Sequence, residues 1–441
     1  MERRMLCLAV AAATAFAGRA RPAAAQEVRT VTLAEALQLA GRDQPGVVQA
    51  RQNVRIAQAG ERVAFGAFLP TITASAGSTT SGSGTTRIDQ ASGRVLSSGT
   101  SYADNAGINA SISLFTGFQR GANRRAAQAT TELRDANLLQ QQYAIALAAK
   151  QAYFAALEAA ELVGVAQTQL RLTEEQVKLT SERLRLGATT RSDSLRAMVT
   201  HANAQLALIN AQNSLQNAQV NLARTIQVPG RVMAVPDTGL EARLGTLDTA
   251  QLHRDAVATA PSIRQAEASV RNARAALSAQ RAVWMPTLSA SASNRWSRND
   301  SLFFGGGGAA FTRAWSVGLS LNYSLFNGFQ RESNIITADA NATSAEATLR
   351  DARLALEASL IQQVSALNSA AASIDVSRVS VAAAEEDLRM QRERYRLGAV
   401  TIIEVLTSQT SLEQAQVNLV TTRYNYLVAR AQIEALVGRG L

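Results

Sequence analysis

The sequence predicts an α+β membrane protein made of two copies of one helix–strand–strand–helix unit. Its strands form a barrel wall and its helices a long tube. Three observations predict this. Ser113-Leu114-Phe115-Thr116-Gly117-Phe118-Gln119-Arg120 returns 211 positions later as Ser324-Leu325-Phe326-Asn327-Gly328-Phe329-Gln330-Arg331. Residues 329–397 contain neither Gly nor Pro, and the equivalent 118–186 contain only Gly121 and Gly164. Four segments between the helices alternate apolar and small polar residues with period two, the pattern of a wall with lipid on one side and water on the other.

The elements follow in chain order. Residues 1–25 read as a secretion leader: Arg3 and Arg4 precede an apolar run from Met5 to Ala17, and Ala23-Ala24-Ala25 offers small residues for cleavage. The single cysteine, Cys7, lies inside that run, so the exported chain is expected to carry no thiol chemistry and no disulfide. Past residue 25, no run approaches the ~18 apolar residues that a spanning helix needs. The first repeat is expected over 26–230 and the second over 248–441, with an equatorial linker at 231–247 marked by Pro229, Gly230, Pro236 and Gly239. Pro45 and Pro70 recur as Pro261 and Pro286, 216 positions on, so the loops near 78–101 and 299–312 differ in length between the repeats.

Short helices are expected at 36–66 and 250–283, and return helices at 188–228 and 399–436. Strands are expected at about 68–77, 104–116, 286–298 and 313–326. In the last of these, Trp315, Val317, Leu319, Leu321 and Tyr323 alternate with Ser316, Gly318, Ser320 and Asn322. A helix of ~69 residues is ~100 Å long, and each short helix placed end to end with a return helix reaches about the same length. Two heptad rows run along each long helix: Leu170, Val177, Leu184 with Leu172, Leu179, Leu186, and Val381, Leu388, Tyr395 with Ala383, Met390, Leu397. Rows two positions apart face about 200° apart, giving each helix two neighbours, as in a tube. A two-stranded coiled coil with one wide face is the other reading of these rows.

Four strands cannot close a barrel, and an open edge is not viable in lipid, so the chain is expected to oligomerise. At the far end, Gly187 and Gly398 terminate the long helices in left-handed caps. Thr190-x-x-Asp193 and Thr401-x-x-Glu404 then read as capping boxes for the return helices. Composition excludes other classes. The only histidines, His201 and His253, sit in unrelated contexts, and no nucleophile elbow, zinc motif or phosphate loop is present, so no enzyme, cofactor or metal site is expected. Gly305 to Gly308 read as an extracellular loop. The net charge of +10 is spread along helices rather than gathered into a nucleic-acid patch.

The duplicated halves, the Leu-Phe-x-Gly-Phe-Gln-Arg segments at 114–120 and 325–331, the Arg-Leu-Gly-Ala turns at Arg185-Leu186-Gly187-Ala188 and Arg396-Leu397-Gly398-Ala399, and Arg423-Tyr424-Asn425-Tyr426-Leu427 with Gly438 together resemble the TolC-type outer-membrane factors. The resemblance covers essentially the whole exported chain. It implies a homotrimer with a twelve-stranded outer-membrane barrel continued by a periplasmic α-helical tunnel. The function it implies is the exit duct of a tripartite efflux pump or type I secretion system. The partners it implies are a periplasmic adaptor, an inner-membrane pump and outer-membrane lipid. It makes the two Arg-Leu-Gly-Ala turns adaptor-docking tips and makes Asp193, Glu404 and Tyr395 the pore constriction, with Tyr395 hydrogen-bonding Asp193 of the neighbouring hairpin. Thr407 and Val400 depart from the charged residues some members carry there. The alternative is a periplasmic coiled-coil scaffold without a channel.

Overall fold

The computed structural model describes residues 29–82, 86–88, 95–97, 101–236, 258–300 and 310–439. The expected leader, Cys7, His253, most of the equatorial linker and the run Gly305–Gly308 lie outside these residues. The described elements are β1 (Arg29–Val31), α1 (Leu33–Asp43), α2 (Pro45–Gly66), β2 (Thr71–Ser81), β3 (Thr86–Ile88), β4 (Val95–Ser97), β5 (Ser101–Phe115), α3 (Gln119–Arg185), α4 (Arg191–Thr225), β6 (Val232–Ala234), α5 (Pro261–Arg281), β7 (Thr287–Asp300), β8 (Thr312–Asn322), α6 (Gln330–Arg396) and α7 (Ile402–Val437).

The two long helices, α3 and α6, each have 67 residues, about 100 Å at helical rise. Along the half of α3 nearest the strands, α3 packs between α2 and α5, and α5 in turn packs on α6. Along the other half, α4 and α7 take the places of α2 and α5. Each short helix thus continues a return helix, α2 with α4 and α5 with α7, and each stack holds fewer helical residues than the long helix beside it.

The short helices differ from the sequence expectation, and the reason is proline. The segment expected as one helix over 36–66 breaks at Gln44, whose backbone is extended (φ −63°, ψ 126°). A residue before proline is driven out of the helical region, while Pro45 itself suits the first helical position. The same break recurs at Ala260 (φ −53°, ψ 125°) before Pro261, so α5 begins later than residue 250. The strands shift as well. β2 runs to Ser81 and β5 starts at Ser101, beyond the expected 77 and 104, because their small polar ends still pair. β8 stops at Asn322, short of 326.

The core sits halfway along the long helices. Tyr153, Leu222, Ile226, Val31, Val232, Ile433 and Val437 are fully buried there. The Tyr153 hydroxyl donates to the Val235 carbonyl at 2.6 Å, joining α3 to the short parallel pair β1–β6. On α7, Tyr424 donates to Glu161 of α3 at 2.6 Å and Arg423 bonds the same carboxylate at 3.2 Å. Burial raises the Tyr424 hydroxyl pKa, and the Glu161 hydrogen bond adds to the shift. The C-terminal Arg-Tyr-Asn-Tyr segment thus adds a polar tie between the repeats to the β5–β7 pairing and the packing of α5 on α3.

The four-stranded antiparallel sheet has the order β2-β5-β7-β8. Its register gathers Ile72, Ala74, Ile108, Ala110, Leu288, Ala290, Ala292, Val317, Leu319 and Leu321 on one face, because directly paired residues share a face. The opposite face is a ladder of hydroxyls: Thr71–Ser111 at 2.8 Å, Ser293–Ser316 at 2.8 Å and Ser289–Ser320 at 3.3 Å. β2 and β8 are edges, each paired on one side only. Among the described residues, no helix is long and apolar enough to cross a membrane.

Both strand-to-helix junctions use one device. Gly117 and Phe118 (φ 61° and 67°), and Gly328 and Phe329 (φ 65° and 62°), are consecutive left-handed residues that turn the chain from strand into helix. Phe in this region is strained. An arginine at the second helical position clasps the junction. Arg120 Nη2 donates to the Leu114 carbonyl at 3.0 Å, and Arg331 Nη2 to that of Leu325 at 3.3 Å. Phe115 meets Phe118, and Phe326 meets Phe329, edge to face at 5.7 and 5.4 Å.

The two junction glycines supply an internal control. A Cβ on Gly117 overlaps Met285, whereas one on Gly328 has open space around it. Gly328→Ala is expected to cost only the backbone term of about 1–2 kcal/mol. Gly117→Ala is expected to cost clearly more, read as a larger drop in melting temperature and in folded yield. Equal costs would place the strain elsewhere.

Candidate functional site: the paired helical tips

The far ends of the long helices carry two hairpin turns of one design. Gly187 and Gly398 adopt φ 72° and 77°. The Ala188 and Gly187 amides donate to the Arg183 and Leu184 carbonyls at 2.8 and 3.0 Å. Ala399 and Gly398 donate likewise to Arg394 and Tyr395 at 2.8 and 3.0 Å. This is the Schellman closure, which satisfies the last helical carbonyls and reverses the chain. It leaves Leu186 and Leu397 as exposed apolar knobs, 75% and 79% accessible. Arg185 and Arg396 flank them, exposed, at the helix ends where a cation suits the dipole.

Behind the knobs the hairpins diverge. Thr190 and Asp193 form a complete capping box: the Asp193 amide donates to Thr190 Oγ1 at 3.2 Å, and the Thr190 amide to the Asp193 carboxylate at 3.3 Å. Thr189 Oγ1 donates to the same carboxylate at 2.9 Å. Hydrogen bonding to Thr190, then to Thr189, holds the Asp193 carboxyl below the usual carboxylate range against partial burial. The second box does not form. Thr401 caps with backbone geometry alone, with no side-chain hydrogen bond, and Glu404 lies exposed. Ile402 and Val405 are buried on either side of it, so packing of the helix start takes the place of the box.

Tyr395 is 5% exposed within the apolar cluster of Ala197, Leu388, Ile402, Val405 and Leu412. The structure does not bring Tyr395 and Asp193 together within the chain: the carboxylate is occupied by its own turn, and the buried tyrosine hydroxyl has no hydrogen-bond partner. The link between the hairpins is Arg183. Its guanidinium lies 4.6 Å over the Tyr395 ring and donates to the Tyr395 carbonyl, capping α6 from the other hairpin. Nothing in the local sequence around Arg183 signals this role toward a residue 212 positions away.

The heptad rows sort differently from expectation too. Leu388 and Tyr395 face the cluster, with Leu172, Val177 and Leu179 against it. The most buried line of α3 in this half is nevertheless polar: Gln169, Thr173, Gln176 and Thr180. Thr173 and Thr180 tolerate burial because each hydroxyl bonds a carbonyl of its own helix, that of Leu170 at 2.9 Å and of Gln176 at 2.8 Å, and so presents a methyl outward. Thr173 also meets His201 Nδ1 at 3.3 Å, which places this histidine against α3. Between α4 and α7 a groove of about 500 Å³ opens, lined by Leu195, Arg196, Val199, Ile403, Leu406 and Thr407. Leu195, Met198, Val199, Leu206 and Ile209 on α4, and Leu354, Ile361, Val376 and Val379 on α6, are apolar and exposed along the flanks.

A sheet with one apolar and one hydroxyl-lined face, running into helices of ~100 Å, defines a β-strand membrane protein with a long helical extension. The chain belongs to the outer membrane efflux protein family, which it matches over residues 36–226 and 252–439, and its place is the outer membrane. It is 28% identical over 122 residues to the outer membrane protein TolC of Escherichia coli, a match covering 28% of this chain and 25% of that protein. It is 28% identical over 263 residues to protein CyaE of Bordetella pertussis, covering 59% of this chain and 54% of CyaE. The matches thus span about a quarter and about half of these relatives. The crystal structure of CusC superposes with a TM-score of 0.78 at 17% identity, covering 92% of each chain, and so shares the fold.

Arg183→Ala is expected to destabilise the tips by about 1–2 kcal/mol, the sum of a ring contact and a helix-end cation. Tyr395→Phe removes a buried hydroxyl that has no hydrogen-bond partner among the described residues and is expected to leave the melting temperature unchanged or raised. For Asp193 the sign follows from its lowered pKa. Its contribution is present at neutral pH and is lost only as pH falls through the depressed folded value. Asp193→Asn is therefore expected to flatten the stability curve on the acid side.

Proposed function

We propose that three copies of this chain form a duct across the outer membrane and into the periplasm. In this reading it is the passive exit of an efflux pump or type I secretion system, docked to a periplasmic adaptor and an inner-membrane transporter. The observation that carries this reading is the sheet. One face is apolar, the other is hydroxyl-lined, and both edges are open, which in lipid demands closure by further copies. Two copies give eight strands, a barrel filled by its own side chains, whereas three give twelve and leave a lumen. The exposed apolar flanks of α4 and α6 supply matching seams for the helical wall. A coiled-coil scaffold would have no use for this sheet.

The tips are then the docking surface. Leu186 and Leu397 are the apolar knobs for an adaptor, with Arg185, Arg396, Gly187, Gly398, Ala188 and Ala399 shaping the turns. Asp193 and Glu404 give six carboxylates near the tunnel mouth, and Tyr395 of one copy can reach Asp193 of the next if the buried hydroxyl finds a partner in the trimer. A ring of carboxylates in a narrow aqueous neck enriches cations and repels anions.

Cross-linking in membranes is expected to give trimers; monomers or dimers alone would refute the assembly. Gly398→Val is expected to abolish transport while trimer and barrel persist, because a β-branched residue is strained at φ 77°. Glu404 has no cap to lose, so Glu404→Gln is expected to leave stability unchanged and to lower cation preference in planar bilayers. Unchanged selectivity would move the constriction elsewhere.

A further inference from the structure

The two strand-to-helix junctions share a backbone but not a charge. In the first repeat, the two turns after the junction read Arg120-Gly121-Ala122-Asn123-Arg124-Arg125. In the second they read Arg331-Glu332-Ser333-Asn334-Ile335-Ile336. Arg331 is buried and stacked 4.3 Å over Trp284, and Ile336 is exposed, so the second junction presents an apolar surface. The first presents a cavity of about 540 Å³ among Phe68, Phe115, Phe118, Arg120, Arg124 and Arg125.

Three features give this cavity a chemistry. Its cations are unneutralised: among the described residues neither Arg124 nor Arg125 pairs with a carboxylate. Of the acids in the adjoining turns, Glu132 pairs with Arg271 at 2.9 Å, and Glu61 accepts from Thr131 at 3.5 Å without pairing with either arginine. The guanidiniums also lie over rings, Arg120 over Phe68 at 5.0 Å and Arg124 over Phe65 at 5.6 Å, so charge and apolar surface alternate. Finally, the cavity opens on the membrane side. A bulge between Ser113 and Phe115 shifts the register so that Phe115 pairs with Leu288, a member of the apolar face, whereas Ser113 pairs with Ser289 on the hydroxyl face. Phe115 therefore continues the lipid-facing surface downward, and the arginines begin where it ends.

We propose that this cavity binds the headgroup of an anionic phospholipid of the periplasmic leaflet. Its phosphate would sit between Arg120, Arg124 and Arg125, and its acyl chains along Phe115, Phe118 and the apolar face of the sheet. The phosphate meets Arg124 and Arg125, which pair with no carboxylate among the described residues, beside Arg120, whose guanidinium also holds the Leu114 carbonyl, and the chains meet exposed rings that continue the apolar face. Because only the first repeat carries the pair Arg124-Arg125, each chain has one such site, and an oligomer displays basic and apolar junctions in alternation.

The test uses the full-length protein extracted from outer membranes. Native mass spectrometry reads retained phospholipid, and titration in nanodiscs compares phosphatidylglycerol with phosphatidylethanolamine and with inorganic phosphate. Wild type is expected to retain phosphatidylglycerol in preference to phosphatidylethanolamine. The double variant Arg124→Gln/Arg125→Gln is expected to weaken that binding roughly tenfold or more with heat-modifiable migration unchanged, and Arg124→Lys/Arg125→Lys to restore most of it. If the double variant folds poorly, Arg125→Gln alone is expected to show the smaller loss. Wild-type retention by the glutamine variants, equal binding of the two lipids, or inorganic phosphate binding as tightly as phosphatidylglycerol would each overturn the proposal.

Discussion

A β-sheet in a bilayer has nowhere to leave an unpaired backbone group, and this chain supplies a sheet with two unpaired edges. Among the described residues nothing pairs with the outer edge of β2 or of β8, so closure in lipid calls for repetition. Once the sheet repeats around an axis, the helices attached to it repeat around the same axis, and their seams have to match as well. Two 67-residue helices alternate with two stacked pairs, of 22 and 35 residues in the first repeat and 21 and 36 in the second, so the two repeats match each other in length and each stacked pair is somewhat shorter than the long helix beside it.

The junction between the two materials is where the constraint is met locally. Strands in a barrel are tilted, and helices in a tube run near its axis, so the chain has to change direction in the short segment between Phe115 and Gln119 in the first repeat and between Asn322 and Gln330 in the second. It does so with paired left-handed residues, one of them a phenylalanine, held by an arginine that reaches back to a carbonyl six residues before it, Leu114 at the end of β5 and Leu325 beyond the end of β8. The strain at Phe118 and Phe329 persists because ring stacking and the arginine clasp over-determine the geometry. The repeated Leu-Phe-x-Gly-Phe-Gln-Arg segment is thus explained residue by residue, without appeal to function.

Much of this architecture was legible in the sequence because its signals are long or doubled. A 67-residue stretch with almost no helix breaker, a repeat at constant offset and a strict period of two each survive local noise. What escaped was short, distant or dependent on register. The β1–β6 pair has three residues per strand, too few for a period. The breaks at Gln44 and Ala260 come from Pro45 and Pro261, each a one-residue signal inside a stretch of otherwise helical composition. Arg183 bonds a residue 212 positions away. The buried polar line on α3 contradicts hydrophobic patterning, because threonine hydroxyls can satisfy themselves on their own helix. Among the site residues, the turns around Gly187 and Gly398 were readable from backbone logic. The failure of the Thr401–Glu404 box was not, since its residues suit a box that the packing of Ile402 and Val405 makes unnecessary.

Duplication makes the two halves comparable, and the comparison shows that they no longer do the same work. The first tip is closed by its own side chains: Thr189, Thr190 and Asp193 form a complete local network. The second tip has no such network, and its strongest polar restraint is the first tip's arginine on the Tyr395 carbonyl. Stiffness is therefore intrinsic in one hairpin and borrowed in the other. Displacing the second hairpin from the first would cost that cation at the end of α6 and expose Tyr395, whereas the cap at the start of α4 would be untouched. The same division appears at the other end of the helices, where one junction carries open charge and its counterpart carries isoleucines. A ring built from such chains has twofold-alternating rather than uniform properties at both of its rims, and the alternation is written in the substitutions between the repeats.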